Sequence, residues 1–202
     1  VSVVHLEETT VPGVLVVTPR RHVDERGDFY EGMRVDALER ALGHPFAARQ
    51  INYSTSRKNT LRGIHGVAIP PGQAKYVTCV QGALRDIVVD LRVGSPAYGR
   101  HHVTELDAES GRSVYVPEGV GHGFLTRDDD TRICYVLSST YVPGTQIDID
   151  PLDHELALPW GFTHPPLMSD KDAAALSLAE AVSAGLLPRW ERPGVAYSIR
   201  QE

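Results

Sequence analysis

Four short stretches gather side chains able to move a proton or hold an anion. They are Asp24-Glu-Arg-Gly-Asp-Phe-Tyr-Glu31, Gln50-Ile-Asn-Tyr-Ser54, Leu61-Arg-Gly-Ile-His65 and Val116-Pro-Glu-Gly-Val-Gly-His-Gly-Phe124. Among them His65 is the candidate base, because a free imidazole titrates near ~6.5 and accepts protons at neutral pH. Arg62 is close in sequence, and Lys75 follows one turn and one strand later. A base beside fixed positive charge is what enolate chemistry requires. Removing a proton next to a ketone puts charge on the carbonyl oxygen, where a Lys or Arg stabilises it. By residue type alone, the commoner role for His65 is that of a core histidine bonded to a backbone carbonyl.

Tyr135, within Ile133-Cys-Tyr-Val-Leu137, is either an aromatic of a core wall or a phenol that returns a proton to a carbanion. Asp172 completes Ser169-x-x-Asp172, a near-capping box with acid in the first helical turn. Its other role would be to orient a histidine and stabilise the imidazolium. Pro117-x-Gly119-x-x-His122 resembles the second half of the cupin motif. A metal-binding cupin also needs an upstream His-x-His pair, and here Val67 stands two places after His65. Only His65 and His122 remain as ligands from those strands, too few for a metal centre, so no metal is expected. His101 and His102 are adjacent on a strand and point to opposite faces, which predicts an exposed pair near a turn.

The elements that carry these residues read mostly as strands. Lys75–Val80 alternates and stops at Gln81-Gly82, and Leu84–Arg92 stops before Gly94-Ser-Pro96. His101–Leu106 precedes the turn Asp107–Gly111, Ser113–Val116 runs into Pro117-Glu-Gly119, and Arg132–Leu137 follows Asp128-Asp-Asp130. Short β-rich runs at this spacing indicate a sandwich or barrel rather than alternating β and α units. Helix is expected at Val35–Leu42, closed by Gly43, and at Ala173–Ala184, opened by Ser169-Asp-Lys-Asp172 and stopped by Gly185. The expected fold is mainly β, a cupin double-stranded β-helix (jelly roll). It forms one domain over residues 1–202, with an N-terminal arm and short C-terminal helices.

Composition narrows the function classes. The chain has 202 residues, 42% hydrophobic and 23% charged, with 26 acidic against 20 basic side chains. That apolar content supports a folded core rather than disorder. No apolar run approaches the ~20 residues of a membrane span. His5, Glu7, Glu8 and Pro12 interrupt Val1–Leu15, unlike a secretory signal. The acidic balance opposes sequence-independent nucleic-acid binding, which relies on many Lys and Arg. Cys79 and Cys134 both lie in apolar runs, so a disulfide scaffold is not expected and a reducing, cytoplasmic setting fits. Lysine is rare, with Lys58, Lys75 and Lys171 the three present.

In chain order, the motifs resemble the dTDP-4-dehydrorhamnose 3,5-epimerase family, including its relatives in antibiotic deoxysugar pathways. They are Arg26-Gly27 with Phe29 and Glu31, Gln50 with Asn52, Arg62-Gly-Ile-His65, Lys75, Val116-Pro-Glu-Gly, His122-Gly-Phe124, Tyr135, Tyr141 and Ser169-x-Lys171-Asp172. The resemblance spans about Val14 to Leu187. It implies a cofactor-free, homodimeric cupin acting on a thymidine-diphosphate (dTDP) 4-keto-6-deoxyhexose. Position by position, His65 resembles the catalytic base, Asp172 its partner, Tyr135 the general acid and Lys75 the group at the 4-keto oxygen. Arg26, Phe29, Glu31, Gln50, Asn52, Arg62, His122, Tyr141, Gln146 and Lys171 match positions lining the sugar-nucleotide site.

Two departures stand out. Gly66-Val67 follows His65 where double epimerases usually carry a larger aromatic or polar pair, and Gln146 stands where many members have Glu. Placed directly after the base, Gly66-Val67 is expected to favour one sugar pose. Inversion mainly at one carbon is therefore expected, with full 3,5-epimerisation as the alternative. A metal-dependent cupin dioxygenase or isomerase is opposed by the missing His-x-His. A non-catalytic sugar-binding cupin is opposed by the joint presence of His65, Tyr135, Lys75 and Asp172.

Overall fold

Period-two alternation of apolar residues drives the chain into two facing sheets, and the computed structural model describes residues 4–190 of this arrangement. The first part forms β1 (Val4–Glu8), β2 (Leu15–Pro19), β3 (His22–Asp24), β4 (Gly27–Phe29), α1 (Val35–Leu42), β5 (Gln50–Ser56), β6 (Leu61–Val67), β7 (Lys75–Gln81) and β8 (Ala83–Asp90). There follow β9 (His101–Asp107), β10 (Ser113–Val116), β11 (Val120–Thr126), β12 (Thr131–Leu137) and β13 (Gln146–Asp148), then α2 (Asp170–Ala173) and α3 (Leu178–Ser183). Six strands pair antiparallel in the order β1-β2-β10-β7-β12-β5, and five in the order β13-β6-β11-β8-β9. β3 and β4 form a separate hairpin. The expected jelly roll is thus observed.

Three apolar layers hold the sheets in place. Val77, Leu84, Val88, Leu106, Val114, Phe124 and Ile133 pack together from strands of both sheets. Ile64, Ile87, Val89 and Leu125, from the five-stranded sheet, pack instead on Ile149, Trp160, Leu178 and Leu187 of the C-terminal region. Around α1, Leu38 and Phe46 cover Val17, Tyr76 and Tyr115 of the six-stranded sheet. Burying each such side chain contributes roughly 1.5–3 kcal/mol, so both sheets are held from behind as well as between.

The expected N-terminal arm is Val4–Glu8, an edge strand bonded to β2 along its length. Two expectations need correction. The expected helix over residues 173–184 is split into α2 and α3. Leu176 bridges to Ile149 and its carbonyl accepts the Asp150 N–H at 2.8 Å, which pulls the chain out of helix. Ser177 then restarts helix with a full capping box to Glu180. His101 and His102 lie on β9 and are half-buried rather than exposed. Burial lowers the pKa of both, partly offset at His102 by the charge of Asp86.

Candidate active site

The site is built on an irregularity between β6 and β11. His122 pairs with His65 and Phe124 with Arg62, so three steps on β6 face two on β11. That extra residue is a bulge, and it turns both Arg62 and His65 into the same cavity, although regular alternation would send them to opposite faces. Glycine makes the approach possible. Gly63 has φ +117, and a Cβ there would stand 2.5 Å from the Gly123 Cα.

His65 Nε2 and Asp172 Oδ1 are 2.7 Å apart, joining β6 to α2 across 107 residues. When Nε2 carries the proton of a neutral ring, the carboxylate accepts it and the Nδ1 lone pair is left free. Ser169 caps α2 by accepting the Asp172 N–H at 3.1 Å, so the capping and ring-holding roles of this segment coexist. Burial opposes the charge on Asp172. Bonds with His65, Ser169 and the Gly63 backbone outweigh it and hold the carboxyl below its ordinary range.

The opposite wall comes from the six-stranded sheet. Lys75, at the start of β7, donates from Nζ to the His65 carbonyl at 3.0 Å. Burial lowers its pKa to about 8, against the opposing charges of Asp86 and Asp148. Tyr135, on β12, lies 3.3 Å from Ser54 Oγ through its hydroxyl, and burial pushes it up to about 12. His122 is buried, bonded through Nε2 to Asp86 Oδ2 at 2.5 Å, with its ring edge-on to Tyr135.

These groups surround a cavity of about 280 Å³ lined by Asn52, Tyr53, Ser54, Arg62, His65, Gln73, Lys75, His122, Phe124, Tyr135, Leu137, Gln146 and Lys171. Asp172 stands behind His65 and does not line it. Gln50 is one residue removed, its amide bonding Asn52 Oδ1 and the Tyr141 N–H, while the Tyr141 side chain is exposed. Arg26, Phe29 and Glu31 are not brought to this cavity. Arg26 pairs with Asp24, Glu31 with Arg34, and Phe29 is 67% exposed. The Gly66-Val67 pair also stays outside: a Cβ on Gly66 would meet Leu91 and Ile147 in the layer behind the sheet.

Sequence reasoning missed Asp86 and Asp148. Each lies on a strand but away from the recognised motifs, and alternation alone could have shown only that Asp86 shares a face with buried Leu84 and Val88. Asp148 Oδ1 is 3.8 Å from His65 Nε2 and 2.8 Å from Lys171 Nζ. His65, Asp148 and Asp172 offer donor atoms within 4.8 Å of one another, a set able to take a divalent cation if Lys171 gave way.

The chain is similar to known proteins over most of its length. The description dTDP-4-dehydrorhamnose 3,5-epimerase matches residues 8–180. A dTDP-4-dehydrorhamnose 3-epimerase of Streptomyces niveus is 51% identical over 180 residues, 89% of this chain and 86% of its own. A dTDP-4-dehydrorhamnose 3,5-epimerase of Mycolicibacterium smegmatis is 43% identical over 91% of this chain and 90% of its own. The crystal structure of NovW, a 4-keto-6-deoxy sugar epimerase from the novobiocin gene cluster of Streptomyces spheroides, has a TM-score of 0.90 and 49% identity over 94% of each chain. ChmJ, a 3'-monoepimerase from Streptomyces bikiniensis in complex with dTDP-quinovose, gives 0.86 and 42% identity over 90% of this chain and 91% of its own. Because sequence and fold match across most of its length, the chain belongs to the dTDP-4-dehydrorhamnose 3,5-epimerase family.

Proposed function

We propose that the protein is an isomerase that inverts a carbon next to the keto group of a dTDP-4-keto-6-deoxyhexose, mainly C3, in deoxysugar biosynthesis. The observation that carries this is the placement of two proton-transfer groups on opposite walls. His65 comes from the five-stranded sheet and Tyr135 from the six-stranded sheet, and Lys75, on the strand next to that of Tyr135, also lines the cavity. His65 Nδ1 takes the C–H proton, and the bonding pair moves into the ring to leave charge on the carbonyl oxygen. The Lys75 ammonium stabilises that enolate, and Asp172 stabilises the imidazolium. Tyr135 then donates its phenolic proton to the opposite face, and solvent resets both groups. One proton leaves and one arrives, so the carbon inverts without a change of oxidation state. The cavity is at the small end of the ~300–1,000 Å³ of ligand sites and suits a single sugar ring, with the nucleotide at its mouth.

Inversion chiefly at C3 is favoured by the 51% identical relative, which is named a 3-epimerase. The test uses dTDP-4-keto-6-deoxyglucose in D₂O, followed by NMR. Rapid label at C3 and slow label at C5 is the expected result; equal labelling at both carbons would show a 3,5-epimerase, and no labelling would refute the function.

The single domain is further proposed to work as a cytoplasmic homodimer. Both cysteines are free thiols, which suits a reducing compartment, and no helix among the described residues is long and apolar enough to cross a membrane. Val23 and Phe29 on the hairpin, and Ile51 and Tyr53 on edge strand β5, are large side chains left exposed. An interface covering them also lets one protomer's Arg26, Phe29 and Glu31 reach the partner's cavity, which their own chain does not allow. Light scattering that finds a monomer at assay concentration refutes this arrangement.

A further inference from the structure

Asp148 faces His65 directly across the β13–β6 ladder. The reciprocal bonds between Ile149 and Ile64, at 2.9 and 3.0 Å, fix the two strands immediately beside it. Its Oδ1 is 3.8 Å from the same His65 nitrogen that bonds Asp172 at 2.7 Å. One N–H therefore has two carboxylates within reach, and a ring movement of about 1 Å would exchange them. The two positions are not equivalent for chemistry. Turning Nε2 toward Asp148 swings Nδ1 away from the place where Asp172 aims it. What holds Asp148 in the structure is Lys171, whose ammonium bonds the very oxygen that faces His65.

Resting on the epimerase reading, we propose that Lys171 is a positioning residue for the base: by occupying Asp148 Oδ1 it keeps Asp172 as the carboxylate that orients His65. The charges around the ring support this. Two carboxylates flank His65, and Asp148 is only 21% exposed, so with Lys171 removed it needs another partner. His65 Nε2 already stands 3.8 Å from its Oδ1. Lys171 itself is 59% exposed and lines the cavity, so replacing it perturbs no core packing. Its placement next to Asp172 on α2 lets one short helix supply both the partner of the base and the clamp on its competitor.

The test is a two-residue cycle of Lys171→Gln, Asp148→Asn and the double variant, with Lys171→Arg as the charge-conserving control. The readouts are kcat and KM for proton exchange into dTDP-4-keto-6-deoxyglucose. Lys171→Gln should lower kcat by about 10–100-fold, the cost of misplacing a reacting group by about 1 Å. Adding Asp148→Asn removes the competing negative charge and leaves only a weaker neutral acceptor, so kcat should return to within about threefold of Asp148→Asn alone, while any rise in KM from the lost cavity lysine persists. Lys171→Arg should keep most of kcat. A lysine that only binds ligand, or only supports the fold, would show no such rescue. A double variant as slow as Lys171→Gln, or a Lys171→Gln variant with wild-type kcat, overturns the inference. Absence of exchange in the wild type is a separate result, which overturns the epimerase reading beneath it.

Discussion

Raising the pH from about 7 to about 9 should discharge Lys75 and with it the positive charge that meets the enolate oxygen. Burial lowers this ammonium from the ordinary 10.5 to about 8, even though Asp86 and Asp148 pull in the opposite direction. A lysine with a lowered pKa is charged below that value and neutral above it. Enolate stabilisation is therefore present on the acid side and lost as pH rises. One pH unit below about 8, roughly nine-tenths of the molecules carry the charge, and one unit above roughly one-tenth do. The expected signature is a fall in kcat/KM approaching tenfold per unit on the alkaline side, since that ratio reports the free enzyme. Tyr135, pushed up to about 12 by burial, stays protonated through this window and adds no limb of its own. The assay is the initial rate of proton exchange at substrate well below KM, from about pH 6.5 to about pH 9.5. Lys75→Met should remove the limb and slow exchange by about 10²–10³-fold, as for loss of one oxyanion-stabilising group. Asp86→Asn removes a charge that favours the ammonium and should move the limb to lower pH. A profile flat to about pH 9.5, or a limb that survives in Lys75→Met, would refute the reasoning.

Other expectations follow from the same geometry. His65→Ala should nearly abolish exchange and Asp172→Asn should slow it strongly with the fold intact; losses below about tenfold in both would remove the pair from the mechanism. Tyr135→Phe should still exchange the sugar proton on the His65 face but form little inverted product, so equal rates of labelling and inversion would exclude Tyr135 as the donor. Gly63→Ala places a Cβ 2.5 Å from the Gly123 Cα at a φ of +117, and should destabilise by about 2 kcal/mol or more in a denaturant titration. Dialysis against a strong chelator should leave the rate unchanged; a stoichiometric metal on His65, Asp148 and Asp172 whose removal stops turnover would contradict this.

Much of this protein was legible from sequence because its signals are local. Lys75–Val80 alternates, both it and Ser113–Val116 end at turn residues, and their strands lie within a residue of the expected bounds. Gly43 ends α1 as read, since a left-handed C-cap is a property of the residue itself. The motif residues His65, Lys75, Tyr135 and Lys171 carry side-chain types suited to enolate chemistry wherever they stand. Other features depend on long-range contact. The split between α2 and α3 needs Ile149 to pair with Leu176, and helix propensity in an alanine-rich run contains no trace of that bridge. The meeting of His65 with Asp172 spans 107 residues, and no local rule brings β6 beside α2. Alternation would have separated Arg62 from His65, and only the bulge opposite β11 turns both into one cavity. Asp148 reads as an ordinary strand-end acid until β13 is paired with β6. Side-chain chemistry and backbone preference thus belong to the sequence, whereas the distances that set His65 beside Asp172 and Asp148 are decided by strand pairing and helix packing in three dimensions.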